Sequence, residues 1–363
     1  MTTLSHTTTK DSPQPVTAVL DRIAVTESVR LATGNVIEPF GIEYSVYGSL
    51  DKPVIVVLGG ISASRNLIDG DKIETEDAAH DARAKGWWDE LVGNEKAIDT
   101  NEFCVISLNY LGALKLETID GHSSVFNLTP ADQSCILNLL LVSLGIDKAI
   151  TIVGSSYGGM VGLSYAEQYP EALKKLICIS ASDKSTHTAR AIRSIQRGIF
   201  ELASNAQEKH QALSLARQLS ILFYRTDEIF DTQFTDPVFL QPSKSVVGYE
   251  KTIYSYLSHQ GEKFANRNTI PRYESLLDSI DSHRVDACKI ISECHFIAVP
   301  TDRLVSYESM RKLAHKVKGT SHFYRLESIY GHDAFLKECQ QLTSLLKKIL
   351  GENDEPSTSY ASC

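Results

Sequence analysis

A serine held between glycines can serve as a nucleophile when the backbone pushes it out of the fold. The stretch Gly154-Ser155-Ser156-Tyr157-Gly158-Gly159-Met160 follows directly on the apolar run Ala149-Ile150-Thr151-Ile152-Val153. Gly154-x-Ser156-x-Gly158 fits the sharp strand-to-helix turn in which the flanking positions must be very small and the central serine projects above the sheet. Ser155 is the competing hydroxyl, but it occupies the first variable position and is expected to point sideways. An alkyl hydroxyl attacks poorly unless a base takes its proton. After such a turn the acid and the histidine follow in that order. Of eleven histidines, His332 in Tyr330-Gly331-His332-Asp333-Ala334-Phe335 falls in a late loop between a strand and the closing helix. Asp302, after His295-Phe296-Ile297-Ala298-Val299-Pro300-Thr301, supplies the acid that orients the imidazole and stabilises its protonated form. Asp281 and Asp286 are rivals that precede the strand and are expected at the wrong end of the sheet. The developing oxyanion would be met by the backbone N–H of Tyr157 together with one from Gly59-Gly60-Ile61, a loop that also follows a buried strand.

These residues need a scaffold, and the patterning describes one. Ile42, Tyr44 and Val46 alternate with Glu43, Ser45 and Tyr47, as in a half-buried strand. Val54-Ile55-Val56-Val57-Leu58 is continuously apolar, as in a strand buried on both faces. Phe103 to Leu108, Ala149 to Val153 and Leu176 to Ile179 repeat that signal. Thr129-Pro130-Ala131-Asp132 opens a helix with a capping hydroxyl, a first-turn proline and an early acid, and Gly145 stops it. A second helix follows Tyr157 and ends near Tyr169-Pro170. Strands alternating with helices predict an α/β fold with a mainly parallel sheet and helices on both faces. Between 185 and 286 the periodicity becomes helical (Arg190 to Leu202, Gln211 to Tyr224, Val247 to Phe264), so this stretch is expected to be a helical cap inserted into the core. Strands return at His295 to Val299 and His322 to Leu326, and one long helix is predicted from about Asp333 to Leu350. The expected division is a disordered leader over 1–18, core over 19–184 and 287–351, cap over 185–286 and a frayed tail over 352–363.

The bulk numbers exclude several function classes. At 363 residues, 42% apolar and 22% charged, the composition is that of an ordinary globular protein. No apolar run is long enough to span a bilayer, and the Thr/Ser/Pro-rich start does not read as a secretory signal. A net charge of −9 argues against general nucleic-acid binding. The seven cysteines show no metal-type spacing, which fits a reducing, cytoplasmic compartment without a metal site.

A set of motifs in order carries a more specific reading. Leu58-Gly59-Gly60-Ile61-Ser62-Ala63, Gly86-Trp87-Trp88-Asp89, Ala97-Ile98-Asp99-Thr100, Ser156-Tyr157-Gly158-Gly159-Met160, Tyr224-Arg225-Thr226-Asp227-Glu228, Tyr256-Leu257-x-x-Gln260-Gly261-Glu262-Lys263-Phe264 and Gly331-His332-Asp333-Ala334-Phe335-Leu336 together resemble the homoserine O-acyltransferases of the α/β-hydrolase superfamily. The resemblance runs from about 40 to 345. It implies the α/β-hydrolase fold, acylation of Ser156 by an acyl-CoA as co-substrate with no cofactor, and transfer of the acyl group to L-homoserine. It also implies substrate binding by Arg217 and Asp333, a homodimer joined through the cap, and no nucleic-acid or membrane partner. Leu58 to Ala63, Ser156 to Met160 and His187 to Arg197 look more like the succinyl-using members, which implies succinyl-CoA as donor and a place in methionine synthesis. Arg190, Arg193 and Arg197 share one helical face and are the candidates for the extra succinyl carboxylate, with a solvated basic stripe as the alternative. Acetyl-CoA as donor, L-serine as acceptor and plain serine-esterase activity are the rivals. Gly112-Ala113-Leu114-Lys115-Leu116-Glu117-Thr118 stands where many members carry Cys-x-Gly-Ser-Thr-Gly-Pro, so the contacts of that loop are expected to differ.

Overall fold

The computed structural model describes residues 15–75, 84–112, 114–117, 123–147, 149–234 and 252–351. The expected tail at 352–363 lies outside them, as does most of the expected leader. The leader's last residues are a correction: Val16–Val25 is a strand, β1, whose Val16, Ala18 and Leu20 are buried while the residues between face solvent.

Eight further strands complete a nine-stranded sheet. They are β2 (Phe40–Tyr47), β3 (Val54–Leu58), β4 (Ile73–Glu74), β5 (Cys104–Leu108), β6 (Ile150–Ser155), β7 (Leu173–Ile179), β8 (Glu293–Ala298) and β9 (Ser321–Arg325), in the spatial order β9-β8-β7-β6-β3-β5-β2-β1-β4. From β9 through to β5 every pairing is parallel. β2 runs antiparallel to both β5 and β1. Successive strand residues serve opposite faces, which explains the unbroken apolar runs. Val56 and Leu58 enter one core cluster with Ile152, Leu176 and Phe296, while Ile55 and Val57 enter a second with Val153, Ile177 and Ile297. Each fully buried aliphatic side chain contributes about 1.5–3 kcal/mol.

Helices cover both faces. α1 (Pro130–Ser143), α2 (Tyr157–Gln168) and α8 (Tyr307–Lys316) pack on the first cluster. α1 opens as its sequence demands, with Thr129 Oγ1 accepting from Asp132 N at 3.1 Å and Asp132 Oδ2 accepting from Thr129 N at 2.8 Å. The second cluster lies under α10 (Cys339–Gly351). The single closing helix predicted from 333 is broken into a 3-10 turn (Gly331–Asp333), the short α9 (Ala334–Lys337) and α10. Trp88 Nε1 donates to the Phe335 carbonyl at 2.9 Å and so takes the acceptor that a continuous helix would offer to the Cys339 N–H.

The insertion is helical. It comprises α3 (His187–Glu201), α4 (Ala206–Tyr224), α5 (Asp227–Gln233), α6 (Ile253–Ala265) and α7 (Ile270–Ser282), and α3, α4, α6 and α7 enclose a third apolar cluster. Its two connections to the core meet in an antiparallel bridge between Lys184 and Arg284. The first part of the helix expected from Val247 lies outside the described residues, and α6 starts at Ile253. The unusual 112–118 segment supplies one strand (Leu114–Glu117) of a small hairpin with Ser123–Phe126. No helix among the described residues is long and apolar enough to cross a membrane.

Candidate active site

The carboxyl ends of β3, β6, β8 and β9 share one rim of the sheet, where open α/β folds bind ligands. The turn between β6 and α2 puts Ser156 there with φ 53° and ψ −118°. That left-handed backbone costs about 1–3 kcal/mol for a non-glycine residue. It is held in place because Ser156 N donates to Ile179 O at 2.9 Å and Gly158 N donates to Gly59 O at 2.9 Å. A methyl on Gly154 would overlap the Gly158 carbonyl, and one on Gly158 would overlap the Leu58 carbonyl. These contacts give the physical reason for both glycines. Gly158→Ala is therefore expected to lose about 3 kcal/mol and, in a chain of 363 residues, about 4 °C in Tm, read by thermal denaturation; an unchanged Tm would contradict the packing. Ser155 is wholly buried and its hydroxyl has no partner, so it is no rival nucleophile.

Ser156 Oγ lies 2.8 Å from His332 Nε2, and His332 Nδ1 lies 2.7 Å from Asp302 Oδ2. The other Asp302 oxygen accepts from the Leu304 and Val305 N–H groups at 2.8 and 3.0 Å. With the Nδ1 proton directed at Asp302, Nε2 presents its lone pair to the serine hydroxyl. Burial favours the neutral imidazole, but the charge and hydrogen bond of Asp302, with Asp333 nearby, outweigh it and raise the His332 pKa above 6.5. This is the hydrogen-bonded row by which a serine is deprotonated. Gly331 precedes the histidine with φ 61°, and a side chain there would press on the Tyr224 carbonyl. Asp286 instead accepts from the Cys288 N–H at 3.1 Å, away from the row. Asp281 is also excluded, though not for the expected reason. It sits at the end of α7 in the cap, not at the far end of the sheet.

The backbone of Gly60, Ile61 and Tyr157 borders Ser156. An added Cβ on Gly60 would stand 3.9 Å from the serine Oγ. Tyr157 begins α2, whose first N–H groups have no acceptor within the helix.

Two clefts meet at Ser156 and His332, with Ile61 and Tyr224 in the walls of both. Arg217, Asp333, Gly60, Trp87 and Phe335 line the first cleft. Arg217 lies between the rings of Tyr224 and Phe264, 5.3 and 5.2 Å from their centroids, and Asp333 Oδ2 accepts from Arg225 Nε at 3.1 Å. The second cleft runs under the cap between Met160, Lys184, Arg193, Gln196 and Leu277. The arginine stripe of α3 is neither solvated nor wholly turned to that cleft. Arg190 Nη2 donates to the Asp281 carbonyl at 2.9 Å, and Arg197 pairs with Asp278 and Asp281 at 2.5 and 2.9 Å. Arg193 alone of the three lines the cleft. Its Nε donates to Asp281 Oδ1 at 2.9 Å, while Nη2 lies 2.7 Å from the same oxygen without the direction of a hydrogen bond.

The sequence matches the alpha/beta hydrolase fold family over residues 53–338. It is 32% identical over 314 residues to a homoserine O-succinyltransferase of Xanthomonas campestris pv. campestris, covering 86% of this chain and 80% of that protein. The chain belongs to the α/β-hydrolase family, among the homoserine O-acyltransferases. It is also 30% identical to a homoserine O-acetyltransferase of Cyclobacterium marinum over 76% of this chain and 83% of that one. The solved homoserine O-acetyltransferase of Staphylococcus aureus shares the fold with a TM-score of 0.75 at 22% identity, over 94% of this chain and 98% of that one.

Sequence reasoning left several residues of this acyltransferase site without a role. Trp87 Nε1 donates to Ser64 O at 3.0 Å, and Tyr110 donates to Gly59 O at 2.7 Å. Gly86-Trp87-Trp88-Asp89 stood out as a motif, but the partners of both tryptophans are distant in sequence. Among the described residues, Glu293, His295 and His322 also gather metal-ligand atoms, at the opposite end of β8 from Asp302. The two imidazoles stack at 15° with centroids 4.6 Å apart, so their in-plane lone pairs do not converge on one point.

Proposed function

We propose that this acyltransferase moves a succinyl group from succinyl-CoA to the hydroxyl of L-homoserine, a step of methionine synthesis. The observation that carries this reading is the pair of clefts meeting at Ser156, one walled by Arg193 and the other by Arg217 and Asp333. The cleft with Arg193 would hold the acyl chain and the cleft with Arg217 and Asp333 the amino acid. On α3, Arg193 and Arg197 pair with the carboxylates of Asp278 and Asp281, and Arg190 donates to the Asp281 carbonyl. A succinyl carboxylate in this cleft would meet Arg193, whose Nη2 makes no hydrogen bond, whereas an acetyl group brings no charge. Arg217 can fork a second carboxylate and Asp333 can hold an ammonium, which are the two charged ends of an amino acid.

The chemistry follows from the row of hydrogen bonds. Ser156 Oγ attacks the thioester carbonyl as its proton passes to His332 Nε2, and the oxyanion forms against the N–H groups of Tyr157 and of Gly60 or Ile61. Collapse breaks the C–S bond, and the departing sulfur takes the proton from His332 to leave as CoA thiol. The homoserine hydroxyl then gives its proton to the same nitrogen and attacks the acyl-enzyme. Ser156 leaves with that proton, and O-succinyl-L-homoserine is released.

A matrix of succinyl-CoA and acetyl-CoA against L-homoserine, L-serine and water tests this. Succinyl-CoA with homoserine should exceed every other pairing in thiol release by tenfold or more, by about the worth of one charged hydrogen bond. Arg193→Leu should lose most of the preference for succinyl-CoA while keeping acetyl transfer. Faster use of acetyl-CoA by the unaltered enzyme would overturn the donor, and equal release into water would make it a hydrolase.

A further inference from the structure

We propose that Arg225 is a positioning residue for the amino-acid acceptor: from behind the cleft it holds one oxygen of Asp333, so that the other is presented to the substrate ammonium. The proposal rests on the reading of Asp333 as the ammonium partner.

Asp333 and Arg217 line the same cleft, whereas Arg225 lines neither cleft. Arg225 Nε donates to Asp333 Oδ2 at 3.1 Å, and the two side chains are only 15% and 18% exposed. Among the described residues no donor holds the other Asp333 oxygen. A carboxylate in this place has rival partners. Its neighbour His332 gains a proton in each half-reaction, and Arg217 is a second cation of the cleft. Paired with either, Asp333 would be turned away from an incoming ammonium. A guanidinium behind it prevents this, because arginine is always charged and its N–H fixes the carboxylate through a charge-assisted bond.

Arg225 is itself firmly placed. It caps the end of α4, its N–H donating to Ile221 O at 3.3 Å, and its guanidinium lies over the Tyr256 ring of α6, 5.1 Å from the centroid. Its neighbours grip both catalytic loops. Thr226 Oγ1 donates to Ile329 O, the Tyr224 carbonyl packs against Gly331, and Asp227 pairs at 2.6 Å with Arg303, the residue after Asp302. α4 therefore carries both halves of amino-acid recognition about two turns apart. Arg217 would meet the substrate carboxylate directly, and Arg225 sets the carboxylate that meets the ammonium.

The test compares two acceptors at saturating acyl-CoA: L-homoserine, and 4-hydroxybutanoate, which keeps the hydroxyl and carboxylate but lacks the ammonium. In Arg225→Met, which keeps an apolar stem over Tyr256, kcat/KM for homoserine should fall about tenfold, the worth of one charge-assisted hydrogen bond, while that for 4-hydroxybutanoate changes by less than about threefold. Acylation of Ser156 without acceptor, followed by mass on the alkaline plateau, should stay within about twofold, since the lost contact serves the second half-reaction alone. An equal fall for both acceptors, slower acylation, or an unchanged preference for homoserine would overturn the role. Tyr256→Leu loosens Arg225 from a different helix and decides the matter should the methionine variant not fold. There the preference should drop about threefold, as for loss of one cation–π contact, and a wild-type preference overturns the role. Asp333→Asn tests the assignment beneath. Preference kept in that variant overturns Asp333 as the ammonium partner, whereas preference lost there but kept in Arg225→Met overturns only the positioning. Either acyl-CoA serves as donor, so a wrong donor assignment leaves the test intact.

Discussion

Replacing Ser156 with alanine should reduce acyl transfer by about 10⁴–10⁶-fold while leaving the fold intact, because the nucleophile and its base act as one unit. The hydroxyl that His332 Nε2 faces at 2.8 Å would be gone, and Ser155, buried without access to either cleft, offers no substitute. Water bound in place of the hydroxyl would still find the oxyanion donors, so slow hydrolysis of an acyl-CoA is the expected residue of activity. The left-handed backbone at 156 is enforced by contacts of Gly154, Gly158 and Ile179 rather than by the serine side chain. The Tm should therefore stay within a few degrees. Mass spectrometry supplies the second reading: incubation with succinyl-CoA alone should add one acyl group to the wild-type chain and none to Ser156→Ala. Acylation of the variant would place the covalent step elsewhere.

How far this site could be read from the sequence depended on the range of each interaction. β3 was legible because a strand buried on both faces leaves a continuous apolar signal, and Val54–Leu58 matches it residue for residue. The helix start at Thr129 was legible because a capping box is written in four consecutive residues. Ser156, Asp302 and His332 are far apart in number, yet chain order and the strand before each one located them. β1 was missed: Val16, Ala18 and Leu20 do alternate, but Thr- and Pro-rich neighbours masked the pattern. The break between α9 and α10 carries no glycine or proline. It follows from packing, with Trp88 holding the Phe335 carbonyl from across the fold. The arginine stripe shows the same limit. Helical spacing put Arg190, Arg193 and Arg197 on one face, but nothing local could say that the face meets Asp278 and Asp281 on α7. Tyr110 was invisible as a site residue because its acceptor lies 51 positions away.

Asp302→Asn separates orientation from charge and predicts a change in pH profile as well as rate. Asp302 Oδ2 accepts from His332 Nδ1 at 2.7 Å, which fixes the tautomer that leaves Nε2 free to accept the serine proton. An amide can present its NH₂ to Nδ1 and so favour the wrong tautomer, a change worth about 10⁴-fold in kcat where the same row of residues serves serine proteases. In the wild type, burial works to lower the His332 pKa, while the charge and hydrogen bond of Asp302 and the nearby Asp333 raise it, for a net value above 6.5. The base must be neutral to act, so wild-type kcat/KM should fall as pH drops through that raised pKa. Removing the Asp302 charge leaves burial less opposed and lowers the pKa, so the residual activity of Asp302→Asn should persist to lower pH. The two effects have opposite signs at acid pH: the variant is slower everywhere, yet it loses proportionately less on acidification. A pH–rate profile whose acid limb did not move, or moved upward, would show that Asp302 does not set the charge state of this imidazole.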